Sequence, residues 1–246
     1  KIKFFSAISS NYFENIVIGS GPGGSITALE IQKRNKDILI IEKGDWIDQF
    51  KLKHPGEELL AKWKYGGLAG ALGNVKIQYA SAECFGGGSE INSGLYHEPD
   101  KNFLNNWSNK FETNDLSSEK LQSFIKETKE KTNVSFQNEL PLLSNFIIKG
   151  ANNNNWKIEE IPRWISVIDN KFIKQSMTAT YLKSYLRNQG KIMLNTSVDT
   201  IKKNNDIWEI KLKQKNKIKK IKCKKIFLCC GSIDNIFILK KSGLLK

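Results

Sequence analysis

With 246 residues the chain can hold one large domain or two modest ones, and 39% hydrophobic with 10% aromatic residues is enough for a packed core, which excludes a disordered protein. The formal charge of +14 suggests a nucleic-acid or anionic-membrane partner, yet its distribution argues against that: residues 190–246 carry 15 Lys against 4 acids while residues 1–189 are close to balanced, and the only arginines are Arg34, Arg163 and Arg187. Nucleic-acid readers use Arg for stacking and bidentate contacts, whereas Lys211 to Lys225 alternate with Ile and Leu as strands with one solvated face do, so no nucleic-acid partner is expected.

Cys84, Cys223, Cys229 and Cys230 form no C-x-x-C pair, and only His54 and His97 offer imidazoles, so no metal site is expected. No apolar run approaches the eighteen or so residues of a transmembrane helix. Lys1 to Phe5 lacks the apolar core of a signal peptide, which makes cytoplasm the expected compartment. The chain opens on Lys rather than Met, which leaves the N-terminus open to extension.

In chain order, Ile16-Val17-Ile18 is an apolar strand that runs into Gly19-Ser20-Gly21-Pro22-Gly23-Gly24. A helix with Ile26, Ala28, Leu29 and Ile31 on its apolar side follows, then a second strand, Ile38 to Ile41, ending on Glu42. Each part has a physical job. Gly19 permits a tight turn, Gly21 lets the backbone approach a pyrophosphate, and Gly24 lets the helix pack closely on the strand. N–H groups at the helix start face the phosphates, and Glu42 is placed to accept from a ribose diol. The unit predicts a site for the ADP half of a dinucleotide and does not by itself distinguish FAD from NAD.

From Asp45 to Ala82 periodicity is poor and glycine frequent, which predicts a long connection with short helices. Gly86-Gly87-Gly88-Ser89-Glu90-Ile91-Asn92-Ser93-Gly94 is a second glycine cluster, opening a predicted helix. Consecutive glycines are costly unless the backbone bends tightly or touches something. A second dinucleotide contact so far along the chain suits a ligand as long as extended FAD. Further helices are expected over 117–131 and 139–150, and one with Tyr181, Leu182, Tyr185 and Leu186 capped by Ser176 or Thr178 and stopped by Gly190. Strands are expected over 192–194, 198–201, 207–212, 217–221 and 226–229, with a hairpin around Gln214-Lys215-Asn216. Small residues at Cys230-Gly231-Ser232 then allow close approach of a cofactor at the end of a strand.

Together these motifs resemble the N-terminal half of the glucose–methanol–choline (GMC) family of FAD-dependent oxidoreductases. The resembling segments run in family order: Gly19–Gly24, Glu42-Lys43-Gly44, Gly86–Asn92, Ser176–Leu182, Asn195–Val198, and Cys230-Gly231 through Ser242-Gly243-Leu244. The resemblance implies an α/β fold: an FAD-binding, Rossmann-like parallel sheet with flanking helices and a β-meander. Residues 1–105 and 176–246 would form the FAD-binding domain, and 106–175 an inserted helical cap or partial substrate region.

By the same resemblance, Gly19, Ser20, Gly21, Pro22, Gly23 and Gly24 hold the pyrophosphate, with Glu42 and Lys43 at the adenosine ribose. Gly86, Gly87, Gly88, Ser89 and Asn92 would lie along the pyrophosphate and isoalloxazine, with Asn92, Ser93 and Gly94 nearest the ring. Val198 would meet the adenine, and Gly231 and Ser232 would pack beside the cofactor. Members with covalent flavin can carry His where this chain has Ile91, so FAD is expected to be non-covalent. Asp234-Asn235 replaces the family's usual Thr-Pro.

The implied reaction is hydride transfer from a small-molecule alcohol to flavin N5, with the electron acceptor unknown. The family's catalytic His lies in the C-terminal portion, outside these residues, and His97 reads as an exposed loop residue. Autonomous catalysis is therefore uncertain. Two alternatives remain: a non-catalytic flavin-binding module served by a separate C-terminal chain, and an NAD(P)-dependent Rossmann enzyme, which would leave Gly86–Asn92 unexplained.

Overall fold

The computed structural model describes residues 10–48, 51–113, 117–137, 140–168, 171–215 and 217–245. It divides into two compact units, Lys1–Asn92 with Met177–Lys246, and Ser93–Ser176. The first unit opens with strand β1 (Tyr12–Ile18), helix α1 (Pro22–Lys33) and strand β2 (Ile38–Ile41). Ile16, Val17 and Ile18 are buried in succession, as are all four residues of β2. Strands covered on both faces have no polar side to alternate. The connection after β2 holds α2 (Pro55–Lys62), a 3-10 turn over Lys64–Gly67, and a small hairpin of β3 (Ala69–Ala71) and β4 (Ile77–Tyr79). The second glycine cluster forms only a four-residue 3-10 turn, Gly87–Glu90, rather than the expected longer helix.

The second unit contains α3 (Lys101–Phe111), α4 (Ser118–Lys131), α5 (Leu142–Asn153) and a hairpin of β5 (Ile165–Ile168) and β6 (Lys171–Lys174). Helix α5 starts later than expected because Pro141 takes its N-cap position, and it runs on through Gly150. Of the residues expected to open it, Glu139 lies outside the described residues.

The chain then returns to the first unit with α6 (Tyr181–Arg187), β7 (Lys191–Met193), β8 (Ser197–Asn204), β9 (Ile207–Gln214), β10 (Lys217–Leu228) and α7 (Ser232–Lys241). Its six strands lie in the order β7-β2-β1-β10-β9-β8. β7, β2, β1 and the end of β10 run parallel, whereas β10, β9 and β8 form an antiparallel meander. The two strands expected at 217–221 and 226–229 are in fact one. β10 pairs with β9 through Cys223 and with β1 from Lys222 onward, so it changes partner without a break. The meander's inward residues, Ile201, Ile210, Leu212, Ile221 and Cys223, share one core with Ile16, Ile18, Leu39 and Ile41.

The expected caps of α6 are corrected as well. Thr180 is its N-cap residue, and Thr178 instead donates its hydroxyl to Glu90 Oε1 at 2.9 Å. Early in α7, Asp234 receives Nζ of Lys64 on both oxygens, at 2.7 and 3.0 Å, and so ties α7 to the connection after β2. The Lys64 side chain is only 6% exposed, and this pair holds its ammonium above the ordinary lysine range against the pull of burial. Removing one partner strands a charge that has lost most of its water. Asp234→Asn is therefore expected to cost about 1–3 kcal/mol, discounted for the half-open Asp234 side, read as a lower urea midpoint.

Candidate functional site

The site is built at the carboxyl ends of β1, β2 and β10. Gly19 follows β1 and donates its N–H to Ile41 O at 2.8 Å. A Cβ there would stand 2.5 Å from Cys229 O, so the turn is wedged against the end of β10. Helix α1 then starts with Gly21 as N-cap, Pro22 in its first positions, no side-chain cap and no acid in its first turn. Its first N–H groups and positive dipole end thus have neither a capping side chain nor an acid of the helix's own first turn to neutralise them.

Glu42, the residue after β2, joins three segments. Its side chain is buried, with Oε2 accepting from Ser20 N at 2.8 Å and Ser20 Oγ at 2.6 Å, and Oε1 accepting from Gly44 N at 2.8 Å. Ser20 Oγ in turn accepts from Gly86 N at 3.0 Å, linking the first glycine turn to the second. The Glu42 carbonyl accepts from Thr196 N at 3.0 Å and its N–H donates to Met193 O, which brings the start of β8 alongside. A carboxylate offers about four lone-pair sites; Ser20 and Gly44 fill three of them, and the Lys43 backbone N–H also bonds to this group.

Burial pushes the Glu42 carboxyl above its ordinary value of 4.5, with the hydrogen bonds from Ser20, Gly44 and Lys43 offsetting part of that rise. Between 4.5 and the raised folded value, the folded chain holds a proton that the unfolded chain has released. Stability from this group is therefore full below pH 4.5 and is lost as pH rises through the folded pKa. Glu42→Gln removes the titration. The melting temperature of the parent relative to Glu42→Gln is expected to fall as pH rises through that window, by thermal melts at a series of pH values.

The second glycine cluster touches the first backbone to backbone. A Cβ on Gly87 would lie 2.8 Å from Gly21 Cα. Ser89, fully buried, donates to Gly86 O at 2.8 Å and accepts from Met177 N at 3.0 Å. Glu90 was not singled out in the sequence, yet it is buried and its Oε1 accepts from Thr178. An acid inside a glycine-and-apolar run was the available signal. Asn92 donates its N–H to Gly88 O at 3.1 Å, and its side chain is exposed.

The remaining expected residues fall as follows. Ser93 and Gly94 belong to the second unit, where Gly94 O accepts from Trp164 N at 2.9 Å and a Cβ on Gly94 would meet Ile165. Lys43 pairs at the surface with Glu83. Val198 packs on the core opposite Leu212, on the edge strand β8 beside a register shift at Asp199. Gly231 is the N-cap of α7 with φ of 87°, followed by Ser232 at the helix start. The Asp234-Asn235 departure has its own supports: Asp234 holds Lys64, while Asn235 Oδ1 accepts from Cys230 N at 3.2 Å. Burial pushes the Cys230 thiol up to about 12, with nearby Asp234 adding to the rise. His97 is exposed.

Five of the expected segments therefore meet in one unit: Gly19–Gly24, Glu42, Gly86–Ser89, Thr196–Val198 and Gly231. The residues suit a dinucleotide: α1 starts without a side-chain cap or an acid in its first turn, the two glycine turns meet at Gly21 and Gly87, and Gly88 has no atom within 4 Å of a would-be Cβ. Fold and cradle together define a dinucleotide-binding α/β protein.

The family profile described as GMC oxidoreductase matches residues 59–246, and one described as an NAD(P)-binding Rossmann-like domain matches residues 17–47. The chain belongs to the GMC oxidoreductase family, and the part of that family it carries is the FAD-binding domain. It is 25% identical over 94% of its length to an uncharacterised GMC-type oxidoreductase of Sinorhizobium fredii, of which it covers 49%. It is 27% identical over 60% of its length to a long-chain-alcohol oxidase of Arabidopsis thaliana, covering 20% of that protein. Among solved structures, pyridoxine 4-oxidase from Mesorbium loti superimposes with a TM-score of 0.75 at 15% identity, over 94% of this chain and 52% of the other. An FAD-dependent oxidoreductase from Chaetomium thermophilum gives 0.75 at 19% identity, over 94% and 48%. The chain thus spans about half the length of these solved relatives and of the Sinorhizobium relative, and a fifth of the Arabidopsis one. Among the described residues no helix is long and apolar enough to cross a membrane.

Proposed function

We propose that the cradle at the ends of β1, β2 and β10 holds FAD without a covalent bond, and that with the remainder of the family fold it serves oxidation of an alcohol. The carrying observation is the backbone contact between Gly21 and Gly87, which joins two glycine clusters at the N-terminus of α1. In this reading Gly19–Gly24 and the α1 N-terminus bind the pyrophosphate, and Glu42 accepts from the adenosine ribose with Lys43 beside it. Gly86–Ser89 and Asn92 run toward the flavin ring. Val198 meets the adenine through backbone groups, and Gly231 with Ser232 leaves space beside the ring system. Ile91 offers no nucleophile for flavin attachment.

When bound, FAD supplies the hydride acceptor, at N5. The chain's own residues bind and orient it; the base that takes the alcohol proton belongs to the remainder of the fold. The named Arabidopsis relatives make a long-chain aliphatic alcohol the first donor to try, and the electron acceptor is left to assay. The test is reconstitution: the purified chain is loaded with FAD or NAD(P), desalted and examined for visible flavin absorbance retained through denaturation-free washing but released by denaturation. Retention of nicotinamide nucleotide with exclusion of FAD would overturn the reading. Turnover of an artificial acceptor with an alcohol panel then separates an active enzyme from a binding module.

A further inference from the structure

The meander carries a charged face that the cofactor site does not use. Cross-strand register puts Lys202, Glu209 and Lys222 in one row of the outward side, Thr200, Lys211 and Lys220 in the next, and Ser197, Lys213 and Ile218 in a third. Their inward neighbours, Ile201, Ile210, Leu212, Ile221 and Cys223, are buried in the core. The pleat alternates side chains between faces, so these nine positions share the solvent side. Five are Lys and one is Glu.

Lys211 and Lys220 stand directly opposite each other, an arrangement that costs sheet stability. Lys220 pairs with Glu209 at 2.8 Å and Lys211 with Asp199 at 3.3 Å. Lys202, Lys213 and Lys222 have no ion pair among the described residues. The carboxyl of Glu209 is held below its ordinary value, first by the hydrogen bond from Lys220, with Lys222 and Lys202 adding to the field. The two opposed lysines are thus each compensated by a carboxylate, whereas Lys202, Lys213 and Lys222 leave the face with a net positive charge that no ion pair among the described residues offsets.

The chemistry of the face narrows the occupant. A protein interface would centre on buried aromatic or apolar anchors and deplete Lys; here Ile218 is the one large apolar side chain among the nine. A nucleic-acid face would supply Arg and stacking aromatics, and neither is present on it. A flat lysine array without anchors suits a diffuse, delocalised layer of negative charge.

We propose that the outward face of β8, β9 and β10 adsorbs this protein to anionic phospholipid bilayers. The attraction is electrostatic and reversible, with each Lys near such a surface worth roughly fivefold in affinity. It does not depend on which alcohol is oxidised, although a long-chain alcohol would be met in the same place.

The experiment is co-sedimentation of the full chain with vesicles of phosphatidylglycerol and phosphatidylcholine in equal parts, against phosphatidylcholine alone, at roughly 50 and 500 mM NaCl. The expected result is binding to the anionic vesicles at low salt, and none at high salt or on neutral vesicles. The triple variant Lys202→Glu, Lys213→Glu, Lys222→Glu should bind at least about a hundredfold more weakly. Lys101→Glu, Lys126→Glu, Lys149→Glu changes net charge equally and should bind as the parent does. Unchanged circular dichroism and melting temperature in both variants keep the comparison one of binding. No binding of the parent to anionic vesicles at low salt overturns the proposal, as does equal loss in both triple variants. Tighter binding to a duplex DNA than to the vesicles at the same salt would overturn it in favour of a nucleic-acid partner.

Discussion

Gly24→Ala is expected to abolish cooperative folding of the first unit. A Cβ at Gly24 would stand 1.9 Å from Gly19 O, 3.0 Å from Gly19 C and 3.1 Å from Val17 Cγ1. Two of these are backbone atoms, which cannot rotate away. Gly19 cannot retreat either, because its N–H is bonded to Ile41 O and Cys229 lies against its other side. The only relief is for α1 to lift from the sheet. That would uncover Ala28 and Leu29, which α1 buries, and the β1 and β2 residues beneath them. The cost is about 4 kcal/mol or more, the upper end of single-residue effects and a large share of a domain's typical stability. Gly56→Ala is the control: Gly56 lies in the first turn of α2 with nothing within 4 Å of a would-be Cβ. It should melt at or slightly above the parent temperature, since alanine is the better helix former. A Gly24→Ala protein that melts cooperatively within a few degrees of the parent would refute this account of the turn.

The strand–turn–helix–strand unit around Gly24 was legible because each part carries a local signal. Apolar runs mark β1 and β2, glycine and proline mark the turn, and 3.6-residue spacing marks α1. Glu42 was legible as a position, the acid after an apolar strand, but its partners were not. That Oε2 meets Ser20, and that Ser20 passes the link to Gly86 across 66 residues, depends on which loops meet at the sheet's end. The same holds for Lys64 and Asp234, 170 residues apart.

Two misreadings have a different origin. β10 was read as two strands because Lys222, Lys224 and Lys225 interrupt its apolar pattern; the strand changes neighbours there, so its burial pattern changes without its backbone doing so. Helix α3 carries little signal in the sequence although Asp100 caps it, accepting from Asn102 N at 2.7 Å, and along one side at four-residue spacing Phe103 stacks on Trp107, which meets Phe111 edge to face. Asn102, Asn105, Asn106 and Asn109 dilute its helix propensity and conceal that stripe. Ser176 and Thr178 suit an N-cap by type, but Thr178 donates its hydroxyl to the buried Glu90 carboxylate, and the helix start, which would need an acceptor, begins two residues later at Thr180.

Gly88→Val is expected to leave the fold intact and to weaken FAD binding by about 10- to 100-fold. The glycines of the cradle divide by what a side chain would meet. At Gly19, Gly24 and Gly87 it would strike backbone within 3 Å, so those positions answer to folding. Gly231 is open, but its left-handed φ of 87° would strain any replacement and confuse the result. Gly88 has neither constraint: its φ lies outside the left-handed range and no atom lies within 4 Å of a would-be Cβ. Nothing among the described residues therefore requires glycine there, while the proposed course of FAD along Gly86–Asn92 does. The melting temperature of the cofactor-free variant should match the parent within a degree or two, and FAD titration followed by flavin fluorescence should show the loss. Gly88→Ala should show a smaller loss in the same direction, since a methyl fills less of the space than an isopropyl group. Unchanged FAD affinity in both variants would mean that the space beside Gly88 holds solvent, and the cofactor's path would then have to leave the second glycine cluster before that residue.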